Sequence, residues 1–526
     1  MKKGLLHLLN RVSLILTLLV SCDTFSQPLK VVINHSNTFQ QIDGFGASDA
    51  WRCQYVGANW SKTKKDKIAT LLFSQEDDAD GNPKGIGLSI WRFYIGAGTT
   101  EQGAASDIKN EWRRAESFID SNGNYDWSKQ EGQQWFLKKA KEHGVERFLA
   151  FSISAPVHWT LNGKGYGEVN NGLLNLKENK YQEYAAFLVE VVNHFKQQGI
   201  YFNYLSPINE PQWDWEKKTQ EGTSATNDNI HRLSNLLDDE IKNKRLATKI
   251  VLAEAADLRW LYSDFKKPRR GNQIEYFFDG NSDNSLKNKP TVENTISGHS
   301  YFTTWPVDSL ISIRQKLNAE LNSHDVGYWQ SEFCILENTD DIGGGRKRDL
   351  GMDTALYVAR VIHADLTLAN AKSWQWWTAL TNADFKDGLI YLDTGITNKM
   401  YDRELLKYDG EFHDSKLLWA LGNYSKFVRP GMKRIGVSLN SNLSLRKQYE
   451  NVMISAYLDE KTSKIVTVAI NYSTEATKIK LDGSSIDFKT MFVTSKNKSL
   501  EKTTILNNEI ILEPRSVSTL VGVSAN

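Results

Sequence analysis

Eight short apolar segments alternate with helical segments between about Ile42 and Trp377, and this repeat constrains the fold more than any other feature. A typical β-rich segment is Arg147–Ser152, and a typical amphipathic helix is predicted over Lys62–Phe73. Eight such units predict an α/β fold of the (β/α)8 TIM-barrel type, with a doubly wound open sheet as the alternative. We favour the barrel because polar and aromatic residues recur where the predicted strands end, and only a barrel brings those ends to one mouth.

A charged residue follows the predicted fourth strand at an unusual place. The apolar segment Ile200–Tyr204 is predicted as that strand, it stops at Pro207, and Asn209 and Glu210 come next, before a second proline. Leaving a carboxylate at the end of a buried strand costs desolvation free energy, which favours a chemical role for Glu210. The alternative is a glutamate at a helix start that complements the helix dipole.

A second carboxylate, Glu332, ends the predicted seventh strand, Val326–Phe333. A closed barrel would bring Glu210 and Glu332 to the same mouth, although they are far apart in sequence. Two facing carboxylates in different environments fit glycoside hydrolysis, in which one donates a proton to the leaving oxygen and the other attacks the anomeric carbon. A separation of about 5–5.5 Å predicts retention of configuration. This chemistry needs no metal or other cofactor, and the alternative for Glu332 is a structural role.

Other residues at strand ends are candidates for binding the substrate. Arg92 lies in an apolar strand and needs a carboxylate partner, so it orders a catalytic acid or forms a remote ion pair. We expect His299 and Tyr301 to orient Glu332, and Glu254 either to pair with Arg92 or to form a plain ion pair. The predicted substrate-binding residues, each with a purely structural alternative, are Asn209, Arg92, Trp159, Trp213, His299, Tyr301, Trp305 and Trp376.

Two glycines, Gly44 and Gly46, follow Ile42. Glycine allows tight turns and close approach of the backbone. The sequence therefore predicts a strand-to-loop turn at which the backbone approaches a ligand.

The character of the chain changes at about Tyr424, where short β-rich segments separated by turns replace the strand–helix repeat. We predict a catalytic barrel over 42–423 and a small antiparallel β-sandwich side domain over 424–526. The extended segment at 28–41 is predicted to join this side domain, which would tie the two ends of the chain together.

Residues 1–22 have the pattern of a targeting segment. Basic residues precede an apolar stretch, Val12–Val20, which is too short to span a bilayer comfortably. The ending Leu19–Cys22 resembles a bacterial lipobox, in which Cys22 is lipidated; the alternative is cleavage near Ser26. We therefore expect an exported protein, periplasmic or at the cell surface as a lipoprotein, or else secreted, with membrane contact only through Cys22.

The composition restricts the partners. The net charge of +1 argues against nucleic acid or an anionic membrane surface as the main partner. Aromatic residues make up 11% of the chain, which suits stacking on sugar rings, although a large barrel also buries many aromatics.

Cys53 and Cys334 are the only cysteines besides Cys22, and their spacing leaves open whether they pair. We expect a monomer that binds a polysaccharide or oligosaccharide.

Four motifs together resemble glycoside hydrolase family 30, and the resemblance covers nearly the whole mature chain. The motifs are Ile42–Gly46, Ser206–Pro211, Trp329–Glu332 and Trp374–Trp377. The resemblance implies that Glu210 is the acid/base and Glu332 the nucleophile of a retaining enzyme with a β-domain packed on its barrel.

Within that family, Asp49–Cys53 and Gly87–Arg92 look most like the endo-β-1,6-galactanase branch. Sister branches cleave β-1,6-glucan or xylan, or remove β-glucosyl or β-fucosyl units, and a few loop residues decide between sugars that differ in one hydroxyl. A hypothesis of another class is a surface lipoprotein that binds carbohydrate without catalysis. The presence of both glutamates argues against it. An esterase ranks low because no Gly-x-Ser-x-Gly motif occurs.

Overall fold

A closed eight-stranded parallel barrel forms the centre of the molecule. The computed structural model describes residues 28–167, 172–481, 486–505 and 510–524, so the predicted targeting segment and Cys22 lie outside the described residues. The first strand, β1 (Leu29–Gln41), precedes the barrel. The barrel strands are β2 (Gly44–Ser48), β3 (Ile90–Ile95), β4 (Arg147–Ser152), β5 (Tyr204–Ser206), β6 (Lys249–Ala255), β7 (Val292–His299), β8 (Gly327–Glu332) and β9 (Ser373–Trp376).

The barrel closes through parallel pairing of its first and last strands. β2 pairs with β9, with Ala47 opposite Trp376, and the strands follow one another around the barrel in chain order. This closure confirms the predicted (β/α)8 barrel over an open sheet. β5 and β8 are therefore the fourth and seventh strands, as predicted, and the pairing of His299 with Glu332 sets the ends of β7 and β8 side by side.

Helices cover the outside of the barrel, and their buried faces follow from the sequence pattern. In α5, for example, Tyr184, Leu188, Val192 and Phe195 recur at helical spacing and are buried. The helices are α1 (Cys53–Asn59), α2 (Lys62–Phe73), α3 (Thr99–Gln102), α4 (Glu131–Glu142), α5 (Tyr181–Gln197), α6 (Asn227–Asn243), α7 (Arg259–Tyr262), α8 (Gln273–Phe278), α9 (Val307–His324), α10 (Met352–Thr367), α11 (Arg403–Leu406), α12 (Lys416–Ser425) and α13 (Leu445–Tyr449). Throughout the described part of the chain, no helix combines the length and the apolar character needed to cross a membrane.

A second sheet, built mainly from the C-terminal part of the chain, packs beside the barrel. β1 pairs antiparallel with β13 and parallel with β16, so the first described strand lies within this sheet. The remaining strands, including the small sheet β10–β12, are β10 (Leu380–Thr381), β11 (Ile390–Asp393), β12 (Glu411–Asp414), β13 (Lys433–Asn440), β14 (Val452–Asp459), β15 (Lys464–Asn471), β16 (Thr477–Leu481), β17 (Ile486–Thr494), β18 (Glu501–Thr504), β19 (Ile510–Leu512) and β20 (Ser516–Ser524). Within the described residues, nine strands form this C-terminal sheet, which has its own core that includes Ile33, Ile454 and Leu520.

Helix α10 shows how the two parts are joined. Nearly all of its residues are buried, because it contacts α12 and strands β14, β15 and β20 as well as the barrel. A helix enclosed on several faces needs apolar residues around most of its circumference. The contact between barrel and sheet is therefore a continuous core.

Two local predictions were wrong. The fourth strand begins at Tyr204, so Ile200–Asn203 is not part of it. Ile200 and Phe202 are nevertheless buried while Tyr201 is 64% exposed, because alternate side chains of this connection pack under the barrel. The resulting alternation of buried and exposed residues resembles that of a strand.

Gly44 and Gly46 lie in β2 instead of a turn, and a Cβ at Gly46 would lie 2.8 Å from the backbone oxygen of Ile90 on β3. The glycine at position 46 thus permits close strand pairing, not approach to a ligand.

Candidate active site

Glu210 stands at the barrel mouth on an unusual backbone. It lies four residues beyond β5 and has a φ of 48°, in the left-handed region that non-glycine residues rarely adopt. Its backbone N–H donates to the backbone oxygen of Glu254, at 3.0 Å, and Glu254 itself has a φ of 50°. Such conformations cost about 1–3 kcal/mol each and persist where the surroundings enforce them, often at functional sites.

His299 joins these two glutamates. Its Nδ1 lies 2.9 Å from Oε1 of Glu210, and its Nε2 lies 3.0 Å from Oε2 of Glu254. Burial lowers the pKa of His299, but the facing carboxylates Glu332, Glu210 and Glu254 outweigh burial and raise it to about 10. His299 is therefore a buried cation that donates a hydrogen bond from each ring nitrogen.

Glu332 is held by a different pair of donors. Nη1 of Arg92 donates to its Oε2 at 2.5 Å, and the hydroxyl of Tyr301 donates to its Oε1 at 3.0 Å. Nη2 of Arg92 donates to Oδ1 of Asn209 at 3.0 Å and lies 3.5 Å from Oε1 of Glu254. Arg92 is fully buried, so this one guanidinium fixes three residues that line or support the mouth.

The two candidate catalytic glutamates face each other closely. An oxygen of Glu210, an oxygen of Glu332 and a ring nitrogen of His299 all lie within 4.8 Å of one another. Burial raises the pKa of Glu210 above its ordinary value, against the opposing effect of His299. Burial also acts to raise the pKa of Glu254, but Arg92 and His299 bring it down to about 2. The raised pKa favours a protonated Glu210, and the lowered pKa favours an ionised Glu254, on the two sides of His299.

A cavity of about 590 Å³ lies over both glutamates, and aromatic side chains form much of its wall. Its lining includes Asn209, Glu210, Trp213, Trp215, Tyr301, Phe302, Glu332, Trp377 and Phe385. A concave site with a few convergent polar groups and several aromatic faces is typical of a small-molecule or sugar-binding site.

Comparison with known proteins agrees with this geometry. The family model for O-glycosyl hydrolase family 30 matches residues 28–391, which is more than half of the chain. The chain belongs to this family. It is therefore a glycoside hydrolase with a TIM barrel and a C-terminal antiparallel sheet domain.

Three relatives of this family-30 protein illustrate its range. A conserved exported protein from Bacteroides fragilis is 38% identical, with a TM-score of 0.87 over 93% of this chain and 99% of the other. An endo-β-1,6-galactanase from Hypocrea rufa is 25% identical over 244 residues, 43% of this chain and only 49% of its own length. The catalytic domain of xylanase C from Talaromyces cellulolyticus shares the fold, with a TM-score of 0.67 at 21% identity over 94% of this chain and 100% of that domain.

Several predicted substrate-binding residues of this family-30 protein do not line the cavity. Trp376 is 1% exposed and stacks on Trp374, with ring centroids 6.2 Å apart. Trp159 is buried against Phe187, and Trp305 packs near the guanidinium of Arg360. None of the three lines the cavity, because a tryptophan near a strand end can equally face the surrounding helices, and their roles as sugar platforms stay predictions. His299, predicted to orient Glu332, is closer to Glu210, at 2.9 Å against 3.7 Å.

Four aromatic residues that were not among the predicted binding residues do line the cavity: Trp215, Trp377, Phe302 and Phe385. Trp377 is the first residue after β9, and alternate residues of a strand point to opposite faces. Choosing Trp377 instead of its neighbour Trp376 as the predicted binding residue would therefore have identified this part of the cavity wall. Trp215 is held over the site by a hydrogen bond of 3.2 Å from its indole N–H to the backbone oxygen of Glu210.

Two further expectations concern metal binding and the cysteines. Glu210, His299 and Glu332 have the residue types of a metal site. The expectation that no metal takes part stays a prediction.

Cys53 and Cys334 are both free and buried, so they do not form a disulfide. Cys334 lines the cavity, and burial raises the pKa of its thiol.

Proposed function

We propose that the protein is a retaining β-glycoside hydrolase that cleaves a polysaccharide by double displacement, with β-1,6-galactan as the first substrate to test. One observation carries the proposal: carboxylate oxygens of Glu210 and Glu332 lie within 4.8 Å of each other over a single cavity. Retaining glycosidases place their two carboxyl groups about 5–5.5 Å apart, whereas inverting enzymes need about 6.5–9.5 Å to admit a water molecule. The short separation favours retention.

In the first step, Glu210 donates its proton to the glycosidic oxygen while Glu332 attacks the anomeric carbon. The bond from that carbon to the leaving oxygen breaks, and a covalent glycosyl ester forms on Glu332. The raised pKa of Glu210 suits it to hold a proton until the leaving group needs it. Arg92 and Tyr301 position the attacking carboxylate through hydrogen bonds to both of its oxygens.

In the second step, Glu210 is the base. It takes a proton from a water molecule, whose oxygen attacks the anomeric carbon and releases Glu332 as a carboxylate. We expect Asn209, which Arg92 holds, to hydrogen-bond the 2-hydroxyl of the sugar, an interaction that strengthens in the transition state. His299 is a positioning residue that holds Glu210 in place.

The choice of β-1,6-galactan is supported by the match to the Hypocrea rufa endo-β-1,6-galactanase. That match spans about half of the relative, so the substrate and endo action are proposals for this chain. β-1,6-Glucan and xylan are the alternatives within the family, and the difference between galactan and glucan is the orientation of one hydroxyl.

Export is proposed from the targeting pattern of residues 1–22 and from the likeness to a conserved exported protein. We further propose that Cys22 carries a lipid. Labelled palmitate incorporated into the wild type and not into Cys22→Ser would support the anchor. Release of unlabelled protein into the medium would instead support simple secretion.

A panel of β-1,6-galactan, β-1,6-glucan and β-xylan, with products sized by chromatography, tests the proposed function. We expect galactan to be cut into oligosaccharides, and Glu210→Gln and Glu332→Gln to abolish the reaction. Exclusive cleavage of xylan would contradict the galactan proposal, and release of monosaccharide alone would contradict endo action. Binding of a glycan without any cleavage would favour the non-catalytic alternative.

A further inference from the structure

Trp215, in the wall of the cavity over the two glutamates, is held in one position by three separate features. Its backbone has a φ of 50°, in the left-handed region that a residue as bulky as tryptophan rarely adopts. Its indole N–H donates to the backbone oxygen of Glu210 at 3.2 Å. Its ring lies against Gly222, where an added Cβ would come within 2.2 Å of Cδ2 of Trp215. A strained backbone persists only where its surroundings enforce it, so neighbouring groups must supply that constraint.

Trp215 belongs to the mouth loop, residues 211–222, which begins directly after Glu210. Seven residues of the mouth loop line the catalytic cavity. The backbone N–H of Ala225 donates to the backbone oxygen of Pro211 at 3.1 Å, so the chain returns to its starting point just after the loop. Compact loops of this kind are packed by their own side chains. In the mouth loop, two carboxylates also bond to other loops of the barrel.

Asp214 fixes the mouth loop to the loop that follows α7. Its Oδ1 accepts from Nη1 of Arg270 at 2.6 Å, and its Oδ2 accepts from Nζ of Lys267 at 3.0 Å. Nη1 of Arg270 also donates to the backbone oxygen of Gln212 at 3.1 Å. Burial acts to raise the pKa of Asp214, but Arg270 and Lys267 outweigh it and lower the pKa. Asp214 is therefore an ionised anchor directly before Trp215.

Glu221 fixes the other end of the mouth loop to β3 and the loop that follows it. Its side chain is fully buried. Its Oε1 accepts from the hydroxyl of Thr99 at 2.5 Å and from the backbone N–H of the same residue at 3.4 Å. Its Oε2 accepts from the hydroxyl of Tyr94 and from the backbone N–H of Ala97 at 3.1 Å. Both oxygens are thus used as acceptors, directly before the glycine that supports the indole ring.

We propose that Asp214 and Glu221 are positioning residues that fix Trp215 as the wall of the catalytic cavity on the side of the leaving group. The side follows from the bond to Glu210, because the proposed proton donor must lie next to the leaving oxygen. The sugar that leaves packs on Trp215, and a wall ordered in advance removes the cost of ordering it on binding. The inference rests on the proposed function, since it assigns part of the same substrate site.

Trypsin tests the anchoring of the mouth loop without any substrate, because the loop carries two exposed lysines, Lys217 and Lys218. We expect the wild type to resist cleavage there, and Asp214→Asn to be cut at these lysines about tenfold faster, since proteolysis follows the population of the open loop. Asp308→Asn, which breaks an exposed ion pair with Arg446, is the matched control and should be cut at the wild-type rate. Equal resistance of Asp214→Asn and the wild type would overturn the anchor.

Kinetics with two substrates test the leaving-group wall. The polysaccharide leaves a sugar, whereas the β-fluoride of a short oligosaccharide of the same sugar leaves only fluoride, which cannot pack on an aromatic ring. We expect Trp215→Ala and Asp214→Asn to raise KM for the polysaccharide about fivefold with little change in kcat. The kcat/KM for the fluoride should stay at the wild-type value in both. Glu221→Gln should show the same pattern, with thermal unfolding verifying that it is folded.

Gly222→Ala displaces Trp215 without changing either carboxylate, so it tests the wall independently of the anchors. Gly222 does not have a positive φ, and the added methyl group therefore acts through its clash with the indole ring. We expect the same rise in KM for the polysaccharide as in Trp215→Ala. Gly280→Ala is the matched control, because a Cβ there meets nothing within 4 Å, and it should keep the wild-type KM.

Equal losses on the polysaccharide and the fluoride would mean that Asp214 only maintains the fold or the glutamate pair, and would overturn the proposal. A wild-type KM for the polysaccharide in Trp215→Ala and Gly222→Ala would overturn it as well. Failure of the proposed function has a different signature, because the wild type would then cleave neither substrate. The trypsin comparison would still decide whether Asp214 holds the mouth loop.

Discussion

Glu210 and Glu332 occupy one cavity but are held by different partners. Glu210 lies on a strained backbone and is hydrogen-bonded by the buried cation His299. Glu332 ends a regular strand and receives hydrogen bonds from Arg92 and Tyr301 on both of its oxygens. Two identical side chains thus stand in different surroundings, which supports the proposed roles of proton donor for Glu210 and nucleophile for Glu332.

The largest effect is expected from Glu332→Gln, which removes the nucleophile and keeps the shape of the side chain. We expect kcat on the polysaccharide to fall about 10⁴-fold or more, because no covalent intermediate can form. Initial rates with concentrated enzyme measure the loss, and thermal unfolding verifies that the variant is folded. Retention of more than a tenth of the activity would show that Glu332 is not the nucleophile.

The loss of activity caused by Glu210→Gln should be smaller than that caused by Glu332→Gln, and it should depend on the leaving group. Loss of general acid catalysis costs about 10²–10⁴-fold on the polysaccharide. With an aryl glycoside whose phenol leaves without protonation, the first step should stay fast, so a burst of phenol is expected before slow turnover. If the polysaccharide and the aryl glycoside suffer equally, the acid/base assignment of Glu210 fails.

His299→Gln tests the cation beside Glu210. The folded pKa of about 10 lies above the ordinary value of 6.5, so protonated His299 stabilises the fold fully below about pH 6.5, and this stability is lost as pH rises to 10. We expect the variant to lose roughly 3 kcal/mol of unfolding free energy at pH 6 and much less at pH 10. Urea unfolding at both pH values measures the difference, and His35→Gln, an exposed histidine of β1, is the control. An equal loss at both pH values would contradict a cationic His299.

Tyr301→Phe should have the smallest effect of the series, because it removes one hydrogen bond to Glu332 and leaves the bond from Arg92. A decrease of about tenfold in kcat/KM is expected. Tyr457→Phe, the same change at a buried tyrosine of the C-terminal sheet whose hydroxyl bonds Ser455, serves as the control and should leave the rate unchanged. If Tyr301→Phe keeps the wild-type kcat/KM as the control does, Tyr301 does not position Glu332.

The sequence predicted the elements that depend on periodicity and strand ends. The points at which the apolar segments stop predict the barrel and the positions of β5 and β8 as its fourth and seventh strands. They also predict that four residues at strand ends lie close together: Arg92, Asn209, Glu210 and Glu332. Contacts that depend on side-chain direction were harder to predict: Trp376 faces inward to the core whereas Trp377 lines the cavity.

The stereochemistry of the first product tests the assignment of the two glutamates most directly. Proton NMR during the first minutes of hydrolysis distinguishes the anomers before they interconvert in solution. If Glu332 forms a covalent intermediate opposite Glu210, the β-anomer must appear first and the α-anomer must grow in later. Initial appearance of the α-anomer would mean direct attack by water and would contradict double displacement by Glu210 and Glu332.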